Sequence, residues 1–153
     1  MSESLDILPE LIEASREGVD FYAEAADMVT DTELSKLFRR MADAKSALVE
    51  VLSQEVTPKA VSKPKSSKGE MKSAEWVSHI NETYRGLRSG LKGIRQDQVT
   101  QIEQAEADVL GRVQRIRHDR ECSYVVRVLA MQYEAKARAV HEGLRARKRR
   151  LAA

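Results

Sequence analysis

Apolar residues recur at steps of three and four along most of the chain, and this spacing predicts amphipathic α-helices. A first helix is predicted from about Asp6, with Pro9 in its first turn, and a second is predicted to end near Val56. Between them, Thr30-Asp31-Thr32-Glu33 matches a capping box, which starts a helix directly after a turn. Because two long helices joined by so short a turn run antiparallel, residues 6–56 are expected to form one helical hairpin.

The composition changes after this hairpin. Residues 57–72 contain two prolines and five lysines but few apolar side chains, so they predict a flexible, basic connection. Helical spacing resumes over 73–95, where Ser73 can cap a crossover helix. It continues over 97–150, where Asp97 can cap the first of two further long helices that form a second hairpin.

These segments predict a single all-α domain over residues 1–153. No stretch alternates apolar and polar residues long enough to predict a strand. At 153 residues, of which 42% are apolar, the chain is long enough for one buried core. No apolar run approaches membrane-spanning length, and the N-terminal segment lacks the features of a secretory signal. A cytoplasmic protein without a membrane contact is therefore expected.

The net charge of +2 conceals an asymmetry. Residues 1–29 carry eight acids and one base, whereas residues 112–153 carry twelve bases and four acids. A basic helix end can bind nucleic-acid phosphates, but cations there also complement the helix dipole. The basic end lacks interleaved aromatic residues, and the acidic first helix would repel a duplex, so nucleic-acid association through the basic linker and tail is the weakest functional hypothesis.

Several stretches carry a family resemblance: Ile12-Glu13-Ala14-Ser15-Arg16-Glu17-Gly18-Val19-Asp20-Phe21-Tyr22, then Ala25-Ala26, then Asp31-Thr32-Glu33-Leu34 with Leu37-Phe38 and Met41-Ala42, and finally His141-Glu142-Gly143-Leu144-Arg145. The first hairpin resembles the opening of rubrerythrin-related proteins of the ferritin-like superfamily. The whole chain resembles a stand-alone ferritin-like four-helix-bundle family catalogued as a domain of unknown function. The resemblance implies an up-down four-helix bundle whose long crossover carries a short extra helix.

Di-iron members of this superfamily place a Glu on one helix and a Glu-x-x-His on its partner, once in each half. By the resemblance, the lone Glu and Glu-x-x-His positions fall on Ser15, Lys45 and Leu48 in the first half and on Glu106, Arg138 and His141 in the second. Only Glu106 and His141 are of the ligand type, and the chain contains no Glu-x-x-His. The resemblance therefore implies a ferritin-like protein with no favoured metal or cofactor.

A vacated metal centre predicts an ion pair in the core. Glu106 is expected to contact Arg138 or Lys45, with His141 at the periphery. Arg138 is the favoured partner, because a guanidinium can meet a carboxylate with two hydrogen bonds.

A residual metal site is the alternative. Glu103 and Glu106 share a helix face that His141 can approach. Two carboxylates and one imidazole are a ligand set for non-haem iron or another divalent metal. Arg138 would repel such an ion, so this site is the second hypothesis.

The remaining reactive side chains favour structural roles. A lone Cys122 excludes a disulfide framework and is expected to be a small buried residue. Trp76 is expected to cover one end of the bundle or to lie in a subunit contact. His79 and His118 are expected at the surface. The tyrosines are expected to fill the core and its rim: Tyr22, Tyr84, Tyr124 and Tyr133.

The leading functional hypothesis is a non-catalytic interaction or assembly protein, stress-related by resemblance to its superfamily. An enzyme is disfavoured, and a metal-binding or oxidative ferritin-like protein is the alternative. A homodimer is expected, with the Trp76 helix as a candidate contact.

Overall fold

The computed structural model describes residues 3–55 and 67–151. These residues form five helices: α1 (Glu3–Met28), α2 (Thr32–Glu55), α3 (Ser67–Arg88), α4 (Gln96–Arg117) and α5 (Tyr124–Leu151). Neither described range contains a strand, so the prediction of an all-α fold is confirmed for them.

The helices α1 and α2 form the predicted antiparallel pair. Arg39 near the start of α2 contacts Asp27 near the end of α1, while Ser53 at the far end of α2 accepts from Arg16. Asp31 begins α2 as its cap, since its Oδ1 accepts the Leu34 N–H at 3.0 Å. The predicted turn between the two helices is therefore present, but Asp31 and not Thr30 caps α2, so the helix begins one residue later than the predicted capping box requires.

Contacts between helices run around a common core. α1 packs on α2, α2 on α5, α5 on α4, and α4 on α1, while α3 lies against α1 and α4. α4 and α5 are antiparallel, because Lys148 near the end of α5 contacts Glu103 in the first half of α4, and Gln114 near the end of α4 contacts Glu134.

Each helix buries one apolar stripe. The spacing predicts apolar seams on α1, α2 and α4, interrupted by the polar residues Ser15 on α1 and Glu106 on α4, and these seams are largely buried. The α4 seam is buried throughout, whereas Val19 of α1 and Val51 of α2 are half-buried. No helix in the described ranges combines the length and the apolar character that crossing a bilayer requires.

The crossover helix departs from its predicted bounds at both ends. α3 begins at Ser67 rather than Ser73, because the lysines, glutamate and methionine between them are good helix formers. It ends at Arg88 rather than at 95, and Gly90 and Gly93 lie in the turn that follows. The rest of the predicted connection 57–72 lies outside the described residues.

Two predicted helix starts are corrected. α1 begins at Glu3, so Pro9 lies in its second turn, where it removes one backbone hydrogen bond. α4 begins at Gln96, and Asp97 is not its cap, because the Asp97 carboxylate contacts the Arg95 guanidinium at 3.2 Å. Instead, the Gln98 side chain accepts the Arg95 N–H at 2.8 Å.

Asp31 also connects the α1–α2 turn to the end of α5, so its removal should lower the stability of the protein. Its Oδ2 accepts from Arg147 Nε of α5 at 2.6 Å. Burial opposes ionisation of Asp31, but the Leu34 N–H and Arg147 outweigh it and lower the pKa of Asp31. Asp31→Ala should therefore lower the free energy of unfolding by roughly 1–2 kcal/mol in denaturant titrations.

The matched control for this change is Asp27→Ala. Asp27 pairs with Arg39 at the surface, with both side chains more than half exposed, so its loss should cost less than about 0.5 kcal/mol. Equal costs for the two variants would contradict the capping and clamping role of Asp31.

Candidate functional site

All five helices contribute one polar side chain to a single buried group, which we call the central cluster. Its members are Tyr22 of α1, Lys45 of α2, Tyr84 of α3, Glu106 of α4 and Tyr133 of α5, each at most 2% exposed. Buried ionisable side chains are rare unless they are paired, so this cluster is the most distinctive chemistry of the described chain.

An ion pair lies at the centre of the cluster. Lys45 Nζ is 2.8 Å from Glu106 Oε1. On the other carboxylate oxygen, Glu106 Oε2 accepts hydrogen bonds from Tyr22 at 2.5 Å and from Tyr84 at 3.0 Å. Lys45 in turn donates to the Tyr133 hydroxyl at 3.0 Å. Both carboxylate oxygens therefore contact protein donors, and the cluster balances its own charge.

A glycine makes room for the lysine. A Cβ at Gly18 would lie 2.5 Å from Lys45 Cδ and 3.2 Å from the Tyr84 hydroxyl. The stem of Lys45 thus crosses α1 where that helix has no side chain. A lysine can span this gap because its long apolar stem packs while its ammonium reaches the carboxylate.

Aromatic rings enclose the ion pair on one side. Phe21 stacks on Tyr84 with 4.6 Å between ring centroids, and Tyr22 packs edge-on to Phe21 at 5.0 Å. On the other side, Lys45 Nζ lies 5.5 Å from the centroid of the Tyr133 ring, within the range of a cation–π contact. The rings exclude water and so strengthen the attraction between the charges.

Mutual attraction keeps both members of the pair ionised. Burial alone would lower the pKa of Lys45, but Glu106, followed by Tyr133 and Tyr84, raises that pKa well above its usual value. Burial would likewise raise the pKa of Glu106, but Lys45 and the two donating tyrosines lower it. Each charge is thus stable in the core because the other is present.

The three tyrosines hold their protons more tightly than usual. Burial, followed by the nearby Glu106 carboxylate, raises the pKa values of Tyr22 and Tyr84 well above the ordinary range. Burial raises the pKa of Tyr133 to about 12, although the Lys45 ammonium partly offsets the effect. The phenols therefore keep their protons at neutral pH: Tyr22 and Tyr84 donate to Glu106, and Tyr133 accepts from Lys45.

The favoured partner of Glu106, Arg138, lies elsewhere. Its guanidinium donates to Glu134 Oε2 one turn away at 2.6 Å, and its side chain is 58% exposed. Glu134 also accepts from Gln114 at 3.0 Å and from Arg117. The hydrogen bond from Arg138, then that from Gln114, hold the pKa of Glu134 at about 2. Lys45, the other candidate, occupies the position beside Glu106.

The inward face of α5 explains this correction. Ala137 and Val140 are buried in the core at 1% and 2% exposure, whereas Arg138 points outward. Because each helical residue advances by about 100°, a register one residue away from the assumed one turns a side chain from the core to the solvent. The α5 pair that corresponds in burial to Lys45 and Leu48 is therefore Ala137 and Val140, and not Arg138 and His141.

The residues of the alternative metal site have other partners. Glu103 is half-buried and its Oε1 accepts from Lys148 at 2.6 Å, while Glu106 contacts Lys45. His141 is half-buried, its Nε2 has no hydrogen-bond partner, and burial lowers its pKa. Among the side chains that the structure describes, those of residues 7–55 and 75–151, no group of three His, Cys, Asp or Glu is arranged to hold a metal ion.

The other reactive side chains that the sequence offered lie outside the central cluster, either packed in the core or exposed. Cys122 is buried at 4% exposure, and burial raises the pKa of its thiol, which opposes a nucleophilic role. The Trp76 ring is buried beneath the Arg112 guanidinium, 3.8 Å from its centroid. His79 and His118 are exposed.

Part of the basic tail is engaged within the chain. Arg147 contacts Asp31, and Lys148 contacts Glu103 and Thr100. Arg149 and Arg150 are exposed. The tail thus ties α5 to the α1–α2 turn and to α4.

The sequence pattern misses the roles of the tyrosines. Tyr124, expected in the core or at its rim, is 74% exposed. Spacing places Tyr22, Tyr84 and Tyr133 on inward faces but does not distinguish a ring that fills space from a hydroxyl that solvates a charge. Ser15, the other polar seam residue, is buried without a partner for its Oγ among the described residues. The tyrosine hydroxyls could have been predicted as partners of Glu106, because a buried carboxylate requires several hydrogen-bond donors and tyrosines on neighbouring helices can supply them.

Removing one member of the pair should be costly. Glu106→Ala leaves the buried Lys45 ammonium without its counter-charge, so the free energy of unfolding should fall by roughly 3 kcal/mol in denaturant titrations. Lys45→Met combined with Glu106→Leu should recover part of this loss, because no unpaired charge remains while the buried Tyr22 and Tyr84 hydroxyls lose their acceptor.

Glu103→Ala is the control for this experiment. It breaks a half-buried contact with Lys148, whose charge can still reach water, and should cost less than about 1 kcal/mol. If Glu106→Ala costs no more than Glu103→Ala, the central role of the pair is refuted.

The buried tyrosines predict that the folded protein loses stability at alkaline pH. In the unfolded chain tyrosines ionise near pH 10, whereas folded Tyr133 retains its proton to about pH 12. Between these values the unfolded state binds fewer protons, so stability should fall as the pH rises. Tyrosinate absorbance of the cluster should therefore develop together with the loss of helical circular dichroism. Ionisation of all four tyrosines before any unfolding would contradict the buried hydrogen bonds.

Comparison with known proteins places this chain in a family. The model of a domain of unknown function, DUF2383, matches residues 3–119, which include α1 to α4 and four members of the central cluster. Tyr133 and the rest of α5 lie beyond the matched range. No curated protein and no solved structure matches the chain. Because the matched range is well over half of the sequence, the chain belongs to the DUF2383 family.

Proposed function

We propose that this protein is a ferritin-like four-helix bundle that has exchanged a di-iron centre for an ion pair and acts as a non-catalytic interaction or assembly protein. The order of helix contacts supports the bundle: α1, α2, α5 and α4 surround one core, and α3 lies on its side. Such a ring of neighbours, with a long connection between two helical hairpins, is the ferritin-like arrangement. A stress-related role rests on the resemblance to that superfamily.

The observation that carries the proposal is the fully buried Lys45. In the ferritin-like registration, Lys45 takes the place of a carboxylate ligand, and its ammonium contacts Glu106, which takes the place of another. A cation of the protein thus occupies the space beside the carboxylate where a metal ion would bind. The remaining inward positions, Ser15, Leu48, Ala137 and Val140, offer no carboxylate or imidazole.

Access to the cluster also favours a non-catalytic role. One surface cleft lies along α3 and is lined by Glu75, Ser78, His79 and Glu82. Another lies between α2 and α5, with Leu37 and Gly143 on its floor. Neither is lined by a member of the central cluster, whereas catalysis requires that substrate reach the reacting groups.

A residual metal site is the second candidate, and one observation favours it. The buried Nε2 of His141 has no hydrogen-bond partner, and a buried nitrogen without a partner carries an energetic cost that a bound cation would remove. To bind a cation together with His141, Glu103 would have to lose its contact with Lys148, and Glu106 its contact with Lys45.

Metal analysis tests the proposal against this alternative. Protein purified without chelator should hold far less than one equivalent of iron, manganese or zinc per chain. Adding these ions should leave the thermal midpoint unchanged, since an ion that bound only the folded state would raise it. His141→Gln is the diagnostic variant, because it removes the imidazole but leaves the Lys45–Glu106 pair intact. About one ion per chain in the wild type that is lost in His141→Gln would overturn the proposal.

A further inference from the structure

The outer face of α5 is apolar where a surface helix is normally polar. Four large apolar side chains of the described residues are exposed, and three of them lie in the first two turns of α5: Tyr124 at 74%, Val125 at 57% and Met131 at 45%. Val128, between them, is half-buried, and Ala135 continues the line one turn further. We call these five residues the outer seam.

The outer seam lies opposite the core. Tyr124, Val128, Met131 and Ala135 follow one another at steps of four, three and four, so they share one face of the helix. The buried residues Val126, Leu129, Tyr133 and Ala137 occupy the other face. The first half of α5 is therefore apolar on both faces, which is the pattern of a helix that is covered on both sides. Among the described residues, α2 and α4 pack against α5, and they cover its inner face.

We propose that a second copy of this chain covers the outer seam, in an antiparallel pair with two-fold symmetry centred between Val128 and Met131. In this register Val128 meets the partner's Met131, and Tyr124 meets the partner's Ala135. A large side chain thus faces a small one at each end, and the apolar pairs lie together at the centre. The inference deepens the proposed function by naming its partner.

Charge at the two ends of the seam favours this orientation. The turn before α5 contains Asp119, Arg120 and Glu121 and is net acidic. At the other end Arg138 is paired with Glu134, and Lys136 leaves that end net basic. An antiparallel pair places each acidic turn beside the partner's basic end, twice by symmetry. A parallel pair would place Arg138 beside the partner's Arg138, which like-charge repulsion disfavours.

The extent of the seam fits a modest dimer interface. From Tyr124 to Ala135 it spans about 16 Å at 1.5 Å per helical residue, and the charged residues Glu121 and Arg138 lie just beyond its two ends. Its centre consists of a tyrosine, a methionine and valines, and apolar and aromatic side chains of this kind form the buried middle of protein interfaces. The expected contact through the Trp76 helix is less suitable, because Arg112 already covers the Trp76 ring.

Sedimentation velocity at about 10–100 µM tests the pair, since a complex of micromolar Kd is populated there. The wild-type chain should sediment as a dimer, and Met131→Glu should weaken the association by at least about 30-fold, because it buries an unpaired charge at the centre. Met28→Glu is the matched control: the same substitution at a methionine of similar exposure, 37%, on another helix. It should leave the dimer intact. Thermal melts of both variants establish that each is folded.

Disulfide trapping tests the orientation. In a Cys122→Ser background, chains carrying Tyr124→Cys should cross-link to chains carrying Ala135→Cys when the two are mixed, and neither should cross-link efficiently alone. Within one chain these positions are about 16 Å apart along the helix, which is too far for a disulfide. Efficient cross-linking of the Tyr124→Cys chain alone would indicate a parallel pair and overturn the register.

A wild-type monomer at 100 µM, or a dimer that survives Met131→Glu, would overturn the inference. Both outcomes are independent of the metal analysis, because the outer seam contains no member of the central cluster. A metal-containing core with an intact α5 dimer would refute the proposed function alone, and a metal-free monomer would refute the α5 pair alone.

Discussion

The structure depends on neutralising one carboxylate that is buried in the core. Glu106 is 1% exposed, and an unpaired charge at that depth would destabilise the fold by several kcal/mol. Its neutralisation requires a cation from α2 and hydrogen-bond donors from α1 and α3, while α5 supplies the hydroxyl that accepts from that cation. Since a hydrogen bond tolerates only a few tenths of an ångström, this one interaction restricts the position and rotation of all five helices. An apolar core of the same volume would allow more sliding, because apolar contacts have no preferred direction.

This constraint gives a physical meaning to residues that are otherwise unremarkable. Gly18 is needed because the Lys45 stem occupies the volume of a side chain on α1. Tyr22 and Tyr84 replace the water that would solvate a carboxylate at the surface, and Tyr133 does the same for the ammonium. The buried pair need not make the protein more stable than an apolar core would, since desolvation offsets much of its attraction. Because its contacts are directional, the pair favours one arrangement of helices over others, as single buried polar residues do in coiled coils.

The helices themselves are predictable from the sequence because burial of one face imposes a period that is visible in the residues. The same spacing marks Glu106 and Ser15 as polar interruptions of apolar seams. Helix ends are less predictable: Asp97 and Ser73 have the chemistry of caps, but competing local contacts and helix propensity place the ends elsewhere. The choice between Lys45 and Arg138 also lies beyond spacing. Both are basic and near the expected depth, and an error of one residue in the register of α5 separates an inward side chain from an exposed one.

The fold described above requires Lys45 and Glu106 to be charged and in contact inside the core. Nuclear magnetic resonance of the lysine ¹⁵Nζ and the glutamate carboxyl ¹³C measures this directly, with Lys45→Met and Glu106→Gln assigning the two signals. At neutral pH we expect a Lys45 ammonium whose protons exchange slowly enough to be observed and correlate with the Glu106 carboxylate. Because Lys45 has a raised pKa and Glu106 a lowered one, both signals should persist in their charged forms until the protein unfolds at either extreme of pH. A neutral Lys45 amine, a protonated Glu106, or a Lys45 signal in fast exchange with water in the folded protein would show that the buried ion pair does not form.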